Sequence, residues 1–431
     1  MELSAFGRRL TSDSGTRSLM DDLGDIASAG GGIMNLGGGN PSLIPAAEAV
    51  FRRRMRAFLE RDRAFERAIG AYGGPDGDRD FARALAGFLQ EELGWAVTER
   101  NIALTNGSQS AFVALFNLLA GPMSDGRPAR RILLPLAPEY IGYADIGFAP
   151  GVLTACRSTI RELGEQLFKY GVDFDALEAV DRIGAICLSR PTNPTGNVVT
   201  DAEVERLRAV ARARGVPLIL DNAYGPPFPG IVFGRATPVW DEQTVVCLSL
   251  SKLGLPAFRT GIVIANEDII EALVAATAIF CLSPGGLGPA FAADLVASRE
   301  VLALVRDVIR PHYADRARRA VDRLRAGLEA YDVRIHRPEG AFFLWLWMRG
   351  LPVTNAALYE RLKARGVIVV SGHYFFPGLE ADDWPHKREC IRISYADDWE
   401  RIERGLDIIV DEVRRAYDGV SPRADADQDE A

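Results

Sequence analysis

Lys252 is the residue of this 431-residue chain with the clearest capacity for covalent chemistry. The chain has only four lysines, Lys169, Lys252, Lys363 and Lys387, and arginine supplies the other 46 of its 50 basic residues. An amine can lose its proton and become a nucleophile, whereas a guanidinium stays protonated. Lys252 lies in VVCLSLSKLGLP, whose apolar residues would lower the pKa of its amine. The alternatives are a Schiff-base lysine or a solvated lysine at a strand end; the other three lysines have the polar surroundings of solvated side chains.

Two segments carry groups suited to binding a phosphate. Hydroxyl and guanidinium groups near Lys252 form the first set: Ser249, Ser251 and Arg259. Backbone amides at a predicted helix N-terminus form the second set, in the segment TNGSQSA: Gly107, Ser108 and Gln109. Both kinds of group are natural phosphate ligands. The alternative interpretations are common surface residues for the first set and a plain helix N-cap for the second.

Three further segments place polar side chains beside apolar runs. Asp221 follows PLIL, and a buried carboxylate there, beside the Tyr224 hydroxyl, needs a cationic partner. The segment RPTNPTG, residues 190–196, either holds ligand-binding groups or is simply a turn. In IRISY, strand alternation puts Arg392 on the face opposite to its isoleucine neighbours. Arg392 is therefore a functional arginine or an exposed strand arginine.

Composition and charge exclude several classes of function. The chain is 48% hydrophobic and 25% charged, which is typical of globular proteins, and its net charge of −8 without a basic cluster argues against a nucleic-acid partner. No apolar window of about 18 residues predicts a membrane span, and the N-terminus lacks the apolar region of a signal peptide. Five scattered cysteines and four histidines fit no disulfide framework or metal motif. We expect a cytoplasmic protein with no membrane contact and no metal site.

The alternation of elements predicts an α/β fold with a mostly parallel mixed sheet flanked by helices. The predicted strands of this large domain cover residues 101–105, 131–135, 184–189, 217–221, 245–250 and 260–265. A helix is predicted over Asp201–Arg214, with a capping box formed by Thr200 and Glu203 and a glycine stop. Ligands in such sheets bind at the carboxyl ends of the strands, where the candidate residues lie.

After about residue 300 the pattern predicts a smaller α+β domain. It contains a long Arg-rich helix, strands over residues 333–336, 341–348, 367–370 and 391–394, and helices near 355–365 and at the end. We predict an N-terminal segment, 1–45, that packs on this domain, a large domain, 46–300, the small domain, 301–418, and a disordered acidic tail, 419–431.

The order of the candidate segments resembles that of pyridoxal phosphate enzymes of the aspartate aminotransferase type, which have fold type I. GSQ, NPTG, DxxY and SxSK with a following arginine each come at a predicted strand end. From about residue 4 to 417 the chain also resembles the valine-pyruvate aminotransferase family. The strings that carry this resemblance are LGGGNP, NIALTNGSQSAF, PLAPEYIGYAD, SRPTNPTGN, DNAYGPPFPGI, SLSKLGLP, PEGAFFLWLW and RLKARGV.

The resemblance implies a pyridoxal 5′-phosphate site. Lys252 would form the internal aldimine and move the proton between the substrate Cα and the cofactor C4′, while Asp221 would keep the pyridinium nitrogen protonated. Asn193 and Tyr224 would hydrogen-bond the ring O3′, and Tyr140 would stack on the ring. The other cofactor-binding residues would be Gly107, Ser108, Gln109, Ser249, Ser251 and Arg259.

The resemblance also implies a substrate site and a second subunit. Arg392 would grip the substrate α-carboxylate, with Gly39 and Asn193 close to it, and Tyr72 would reach the phosphate in the neighbouring subunit of a homodimer. Dicarboxylate-specific relatives place an arginine near residues 278–289, and here no arginine occurs between residues 260 and 298. The expected reaction is ping-pong transamination between valine or alanine and pyruvate or 2-oxoisovalerate.

Two alternatives to this reaction stay open at the level of sequence. A broader-specificity aminotransferase or a pyridoxal phosphate-dependent lyase would share all these motifs, because the choice of bond depends on substrate orientation. A non-enzymatic regulator on the same fold would need a DNA-binding segment, which this acidic chain lacks.

Overall fold

The computed structural model describes residues 2–11, 15, 17 and 33–419; the predicted acidic tail from residue 420 onward lies outside the described residues. Its strands are β1 (Met34–Asn35), β2 (Ile102–Asn106), β3 (Arg131–Ala137), β4 (Leu153–Arg157), β5 (Thr159–Gly164), β6 (Leu167–Gly171), β7 (Ile183–Ser189), β8 (Leu218–Asp221), β9 (Thr244–Ser249), β10 (Thr260–Ile264), β11 (Val333–His336), β12 (Phe343–Met348), β13 (Val367–Ile368), β14 (Val370–Ser371) and β15 (Cys390–Ser394).

The helices alternate with these strands along most of the chain. They are α1 (Ala5–Leu10), α2 (Pro45–Glu60), α3 (Ala64–Gly70), α4 (Arg79–Leu93), α5 (Ser108–Leu119), α6 (Phe174–Glu178), α7 (Asp201–Arg214), α8 (Glu267–Cys281), α9 (Leu287–Ala297), α10 (Glu300–Leu304), α11 (Arg310–Leu328), α12 (Asn355–Ala364) and α13 (Trp399–Tyr417). Helix α7 has the predicted bounds, with a Thr200–Glu203 capping box and Gly215 in the left-handed conformation at its end.

The larger sheet of the described residues has seven strands in the order β2-β10-β9-β8-β7-β3-β4. From β9 to β4 the strands are parallel, and β10 is antiparallel to both of its neighbours. Apolar side chains of β7 alternate between two clusters, one shared with α5 and α8 and the other with α7. Because helices cover both faces, the central strands read as continuous apolar runs, and the predicted α/β fold with a mostly parallel mixed sheet is confirmed.

The second sheet has six strands in the order β14-β15-β12-β11-β6-β5 within the part of the chain that the structure describes. Strand β6 pairs in parallel with β11, so residues 159–171 join strands of the C-terminal third. Strand β1 pairs in parallel with β13, with Met34 opposite Val367. The domain boundaries given above stay predictions, although by sheet membership 159–171 belongs with the C-terminal strands.

The sequence prediction missed β4, β5 and β6. Strand β5 is mostly exposed and lies at the edge of its sheet, so its side chains carry no apolar alternation. The interpretation of Lys169 as a solvated side chain was wrong, because Lys169 lies in β6 and is 5% exposed. Lys363 is exposed, as expected, and Lys387 donates to three backbone carbonyl oxygens of a neighbouring loop.

Candidate active site

A cavity of about 130 Å³ opens at the carboxyl ends of β7, β8 and β9. Its lining contains most of the residues that the sequence singled out. They are Ser108, Gln109, Tyr140, Asn193, Asp221, Tyr224, Ser249, Ser251, Lys252 and Arg259, together with Ser189 and Ala223. The sheet therefore brings together segments that lie up to 151 positions apart in the chain, as the rule for open α/β sheets predicts.

Lys252 projects into this cavity from a single 3-10 turn that follows β9. Its Nζ donates a hydrogen bond of 2.7 Å to the carbonyl oxygen of Gly39 and lies 5.6 Å from the centre of the Tyr224 ring. Burial, together with the positive charges of Arg392 and Arg259, lowers the pKa of the amine to about 8. An amine with this pKa is available as a nucleophile and as a base near neutral pH.

Asp221 ends β8 with its carboxyl group held on both sides. Tyr143 Oη donates to Oδ2 at 2.7 Å, and the Ala223 backbone N–H donates to Oδ1 at 2.9 Å. Burial raises the pKa of this carboxyl to about 6, although both hydrogen bonds and the Lys252 charge favour the ionised form. The arrangement suits a carboxylate that pairs with a cationic ligand group in the cavity.

The N-terminus of α5 forms a cradle with the arginine that follows β9. Gly107 precedes the helix with φ of 84°, and a Cβ at this position would collide with the guanidinium of Arg259. Arg259 in turn donates to Ser251 Oγ at 3.3 Å. Gln109 Oε1 is a buried acceptor without a partner among the described residues. Backbone amides, hydroxyls and a guanidinium thus converge as an anion requires.

Arg392 lies on the other side of the site, in β15 of the second sheet. It is 2% exposed, and its guanidinium donates to Asn193 Oδ1 at 2.8 Å and to the Gly37 carbonyl oxygen at 2.5 Å. The guanidinium carbon lies 4.2 Å from the centre of the Phe343 ring and 5.2 Å from that of Phe375. Burial lowers the pKa of Arg392 to about 10, which leaves it cationic at neutral pH. Its Nε has no partner among the described residues, and Nη1 and Nη2 each make one of these two hydrogen bonds, so N–H donors are available to a ligand.

Tyr72 is the predicted site residue that lies apart from this group. Its side chain is 86% exposed, in the connection between α3 and α4, and it does not line the cavity. The role given to it above requires a second subunit. Gly39, by contrast, is tied to the site through the hydrogen bond from Lys252.

Sequence reasoning missed three residues that shape the site. Tyr143 and Glu139 both lie in PLAPEYIGYAD, where Tyr143 orients Asp221, and Ser189 lines the cavity at the end of β7. A buried carboxylate such as Glu139, 0% exposed, has no periodic signature. The sequence feature that could have identified Glu139 is its position just after an apolar strand and directly before Tyr140, which was already a candidate.

The groups present fit a pyridoxal phosphate molecule. An anion cradle, a carboxyl group and an amine line one cavity, and the buried cation Arg392 hydrogen-bonds Asn193 of that lining; these are the groups that a phosphate, a ring nitrogen, an aldehyde and a substrate carboxylate would need. The role of each single residue stays a prediction. Among the described residues, no cluster of His, Cys, Asp and Glu side chains could hold a metal ion. No helix within those ranges has the length and hydropathy of a membrane span.

Comparisons with known proteins show the family to which the chain belongs. The aminotransferase class I and II family matches residues 32–409. The valine-pyruvate aminotransferase of Escherichia coli K12 is 49% identical over 417 residues, 97% of this chain and 99% of the relative. The crystal structure of valine-pyruvate aminotransferase from Salmonella typhimurium LT2 is 46% identical, with a TM-score of 0.86 over 94% of this chain and 99% of that one. A solved structure from Psychrobacter arcticum 273-4 is 44% identical, with a TM-score of 0.94 over 97% of this chain and 99% of that one. The chain belongs to the pyridoxal phosphate-dependent aminotransferases of class I and II.

Proposed function

We propose that this aminotransferase exchanges the amino group between a small neutral L-amino acid, valine or alanine, and a 2-oxo acid, pyruvate or 2-oxoisovalerate, in a ping-pong reaction. The observation that carries the proposal is the buried guanidinium of Arg392, set against the rings of Phe343 and Phe375. It offers one carboxylate site beside apolar surface. The 49% identity to a protein named valine-pyruvate aminotransferase supports the same substrates, and the relatives do not favour the lyase alternative.

When bound, pyridoxal phosphate supplies an electron sink for the negative charge that develops at the substrate Cα. In this proposal the carboxyl of Asp221, oriented by Tyr143 and the Ala223 N–H, keeps a proton on the ring nitrogen. Lys252, with a pKa of about 8, would carry the proton between the substrate Cα and the cofactor C4′. Tyr224 and Asn193 line the cavity where they would hydrogen-bond the ring oxygen.

Arg392 orients the substrate in this proposal. Its guanidinium would hold the α-carboxylate in two hydrogen bonds, using donors on the face where Asn193 already accepts one. Gly39, whose carbonyl oxygen accepts from Lys252, would lie close to the substrate α-carboxylate. A side-chain carboxylate would have no second arginine from residues 261–297, because none occurs there.

We also propose a cytoplasmic homodimer in which Tyr72 completes the neighbouring phosphate site. Tyr72 is 86% exposed, and two apolar side chains at the end of α8, Ile279 and Leu282, are 84% and 66% exposed. A second copy of the chain would cover such surface. Free cysteines in the described part of the chain suit a reducing compartment. Sedimentation of a monomer at micromolar concentration would contradict the dimer.

The test is a screen of amino donors against pyruvate and 2-oxoisovalerate. We expect kcat/KM for valine and alanine to exceed that for aspartate and glutamate by about 10²-fold or more, since burying an unpaired carboxylate costs several kcal/mol and each 1.4 kcal/mol is tenfold. Arg392→Ala should weaken all donors alike, because all share the α-carboxylate. Aspartate as the best donor, or a changed ranking in Arg392→Ala, would contradict the proposed substrate orientation.

A further inference from the structure

Glu139 is a fully buried carboxyl group that contacts two residues lining the cofactor cavity and one residue packed on the substrate arginine. It lies two residues after the end of β3 and is 0% exposed. Its Oε1 accepts the Ser189 backbone N–H at 2.7 Å, and its Oε2 accepts the Tyr140 backbone N–H at 2.8 Å and contacts Ser189 Oγ at 2.7 Å. Tyr140 and Ser189 both line the cavity, so one carboxyl group ties together two walls that come from different strands.

The surroundings of Glu139 differ from those of Glu412, which is also buried, and of Glu339, which is partly buried. Glu412 pairs with Arg365 and Glu339 with Lys169, whereas no cation lies within salt-bridge distance of Glu139. Burial therefore raises the pKa of Glu139 to about 8, and the neighbouring Asp221 carboxylate acts in the same direction. A buried carboxyl group without a cationic partner does not stabilise a fold more than an apolar residue of similar size would. Stability alone therefore does not account for a glutamate at this position.

The contacts of Glu139 extend to the substrate arginine by two routes. Its backbone N–H donates to the Phe375 carbonyl oxygen at 2.8 Å, and the Phe375 ring packs on the Arg392 guanidinium. Ser189, held by the Glu139 carboxyl, begins the turn whose residue Asn193 accepts from Arg392. Glu139 thus contacts Tyr140 and Phe375 directly, and it is linked to Asn193 through Ser189.

We propose that Glu139 is a positioning residue that fixes the Tyr140 backbone and the Ser189–Asn193 turn in the geometry that the cofactor ring and the substrate α-carboxylate require. The inference rests on the proposed cofactor site. Glu139 lies behind the cavity walls, so it acts through these residues and is no catalytic group. A carboxyl oxygen can accept from the Tyr140 N–H whether or not Glu139 is protonated, and this is the property on which the role depends.

Glu139→Gln tests that property with almost no change in shape. When the amide oxygen accepts from the Ser189 N–H, the amide nitrogen faces the Tyr140 N–H, and two donors oppose each other. We expect about tenfold weaker binding of pyridoxal phosphate to the apoenzyme, an altered visible circular dichroism of the bound cofactor, and a raised KM for every donor with unchanged donor ranking. Thermal unfolding of the apoenzyme should stay cooperative.

Glu412→Gln is the matched control, because Glu412 is equally buried but lies on α13 and pairs with Arg365, away from the cavity. It should lower the unfolding temperature while leaving cofactor affinity and dichroism as in wild type. Should Glu139→Gln fail to fold, Ser189→Ala removes only the hydroxyl contact and should weaken cofactor binding about two- to fivefold. Wild-type cofactor binding and KM in the folded Glu139 variant, or equal changes in both glutamate variants, would overturn the inference. Failure of wild type itself to bind the cofactor would overturn the proposed function as well.

Discussion

Lys252, which is partly buried, and Lys169, which is buried, have opposite surroundings. The Nζ of Lys169 donates to Asn197 Oδ1 and to the Val198 carbonyl oxygen, both at 2.9 Å, and forms an ion pair with Glu339. The Nζ of Lys252 donates to one carbonyl oxygen, and no described carboxylate lies within salt-bridge distance of it. The Lys169 ammonium group uses all three of its N–H donors, whereas the Lys252 amine keeps donors free inside the cavity.

The carboxylates of the two regions differ in the same way. Glu339 contacts Lys169 and Arg337, and these charges lower its pKa despite its burial. Asp221 has two hydrogen-bond donors but no contact with a cation, and burial raises its pKa to about 6. In the Lys169–Glu339 region each charged group has an oppositely charged partner. In the Lys252–Asp221 region the charged groups lack such contacts until a ligand supplies them. Burial of a lysine therefore does not identify a reactive amine; the lack of a charged partner does.

The largest expected effect separates the two lysines directly. Lys252→Met should lower kcat more than about 10⁴-fold, because it removes the nucleophile and the proton carrier together, and the proton transfer alone is worth about 10² to 10⁴-fold. The free energy of unfolding should not fall, since a buried ammonium without a carboxylate contact costs stability. Lys252→Arg should restore nothing. Turnover within tenfold of wild type, or borohydride attachment of the cofactor to another lysine, would refute the assignment.

Asp221→Asn should give the next largest loss. We expect the variant to bind pyridoxal phosphate but to lose turnover about 10²-fold or more, because an amide cannot keep the ring nitrogen protonated. Exchange of the valine Cα proton, followed by NMR in D₂O, isolates the affected step. Tyr143→Phe removes one of the two hydrogen bonds to the same carboxyl and should give a smaller loss. Wild-type exchange rates in Asp221→Asn would contradict the role.

Lys169→Met should have the reverse signature of Lys252→Met. Breaking the buried pair leaves Glu339 without its main cation and should lower the free energy of unfolding by about 3 to 5 kcal/mol, as seen when one partner of a buried pair is removed. Denaturant titration measures this, and kcat at a temperature where the variant is folded should stay within about threefold. The double variant Lys169→Met/Glu339→Gln should recover part of the loss. A tenfold loss of kcat with unchanged stability would abolish the distinction between the regions.

The sequence predicted the Lys252–Asp221 region well and the Lys169–Glu339 region not at all. Residues at strand ends of a parallel sheet converge by topology, so motifs after β2, β7, β8 and β9 could be placed at one edge from their order alone. Lys169 pairs with a residue 170 positions away, and its polar flanks look the same whether the strand is exposed or covered. Contacts between the sheets, like the environment of Glu139, depend on which strand edges meet, and local periodicity does not encode that.

The smallest expected effect is a difference in pH dependence of apoenzyme stability. Asp221 has a raised pKa, so between about pH 4 and 6 the folded state binds more protons than the unfolded state, and this carboxyl makes stability fall as pH rises. Glu339 has a lowered pKa, so below about pH 4.5 the unfolded state binds more protons, and this carboxyl makes stability rise with pH.

Relative to wild type, Asp221→Asn should therefore make the unfolding free energy rise more steeply from pH 4 to 6, by at most about 1.4 kcal/mol per pH unit. Glu339→Gln should make the unfolding free energy rise less steeply below about pH 4.5. Urea titrations of the apoenzymes from pH 3.5 to 6.5 measure both slopes. If both variants changed the slope in the same direction, the two buried carboxylates would share one electrostatic environment, and the contrast between a charge-deficient site and a completed ion pair would fail.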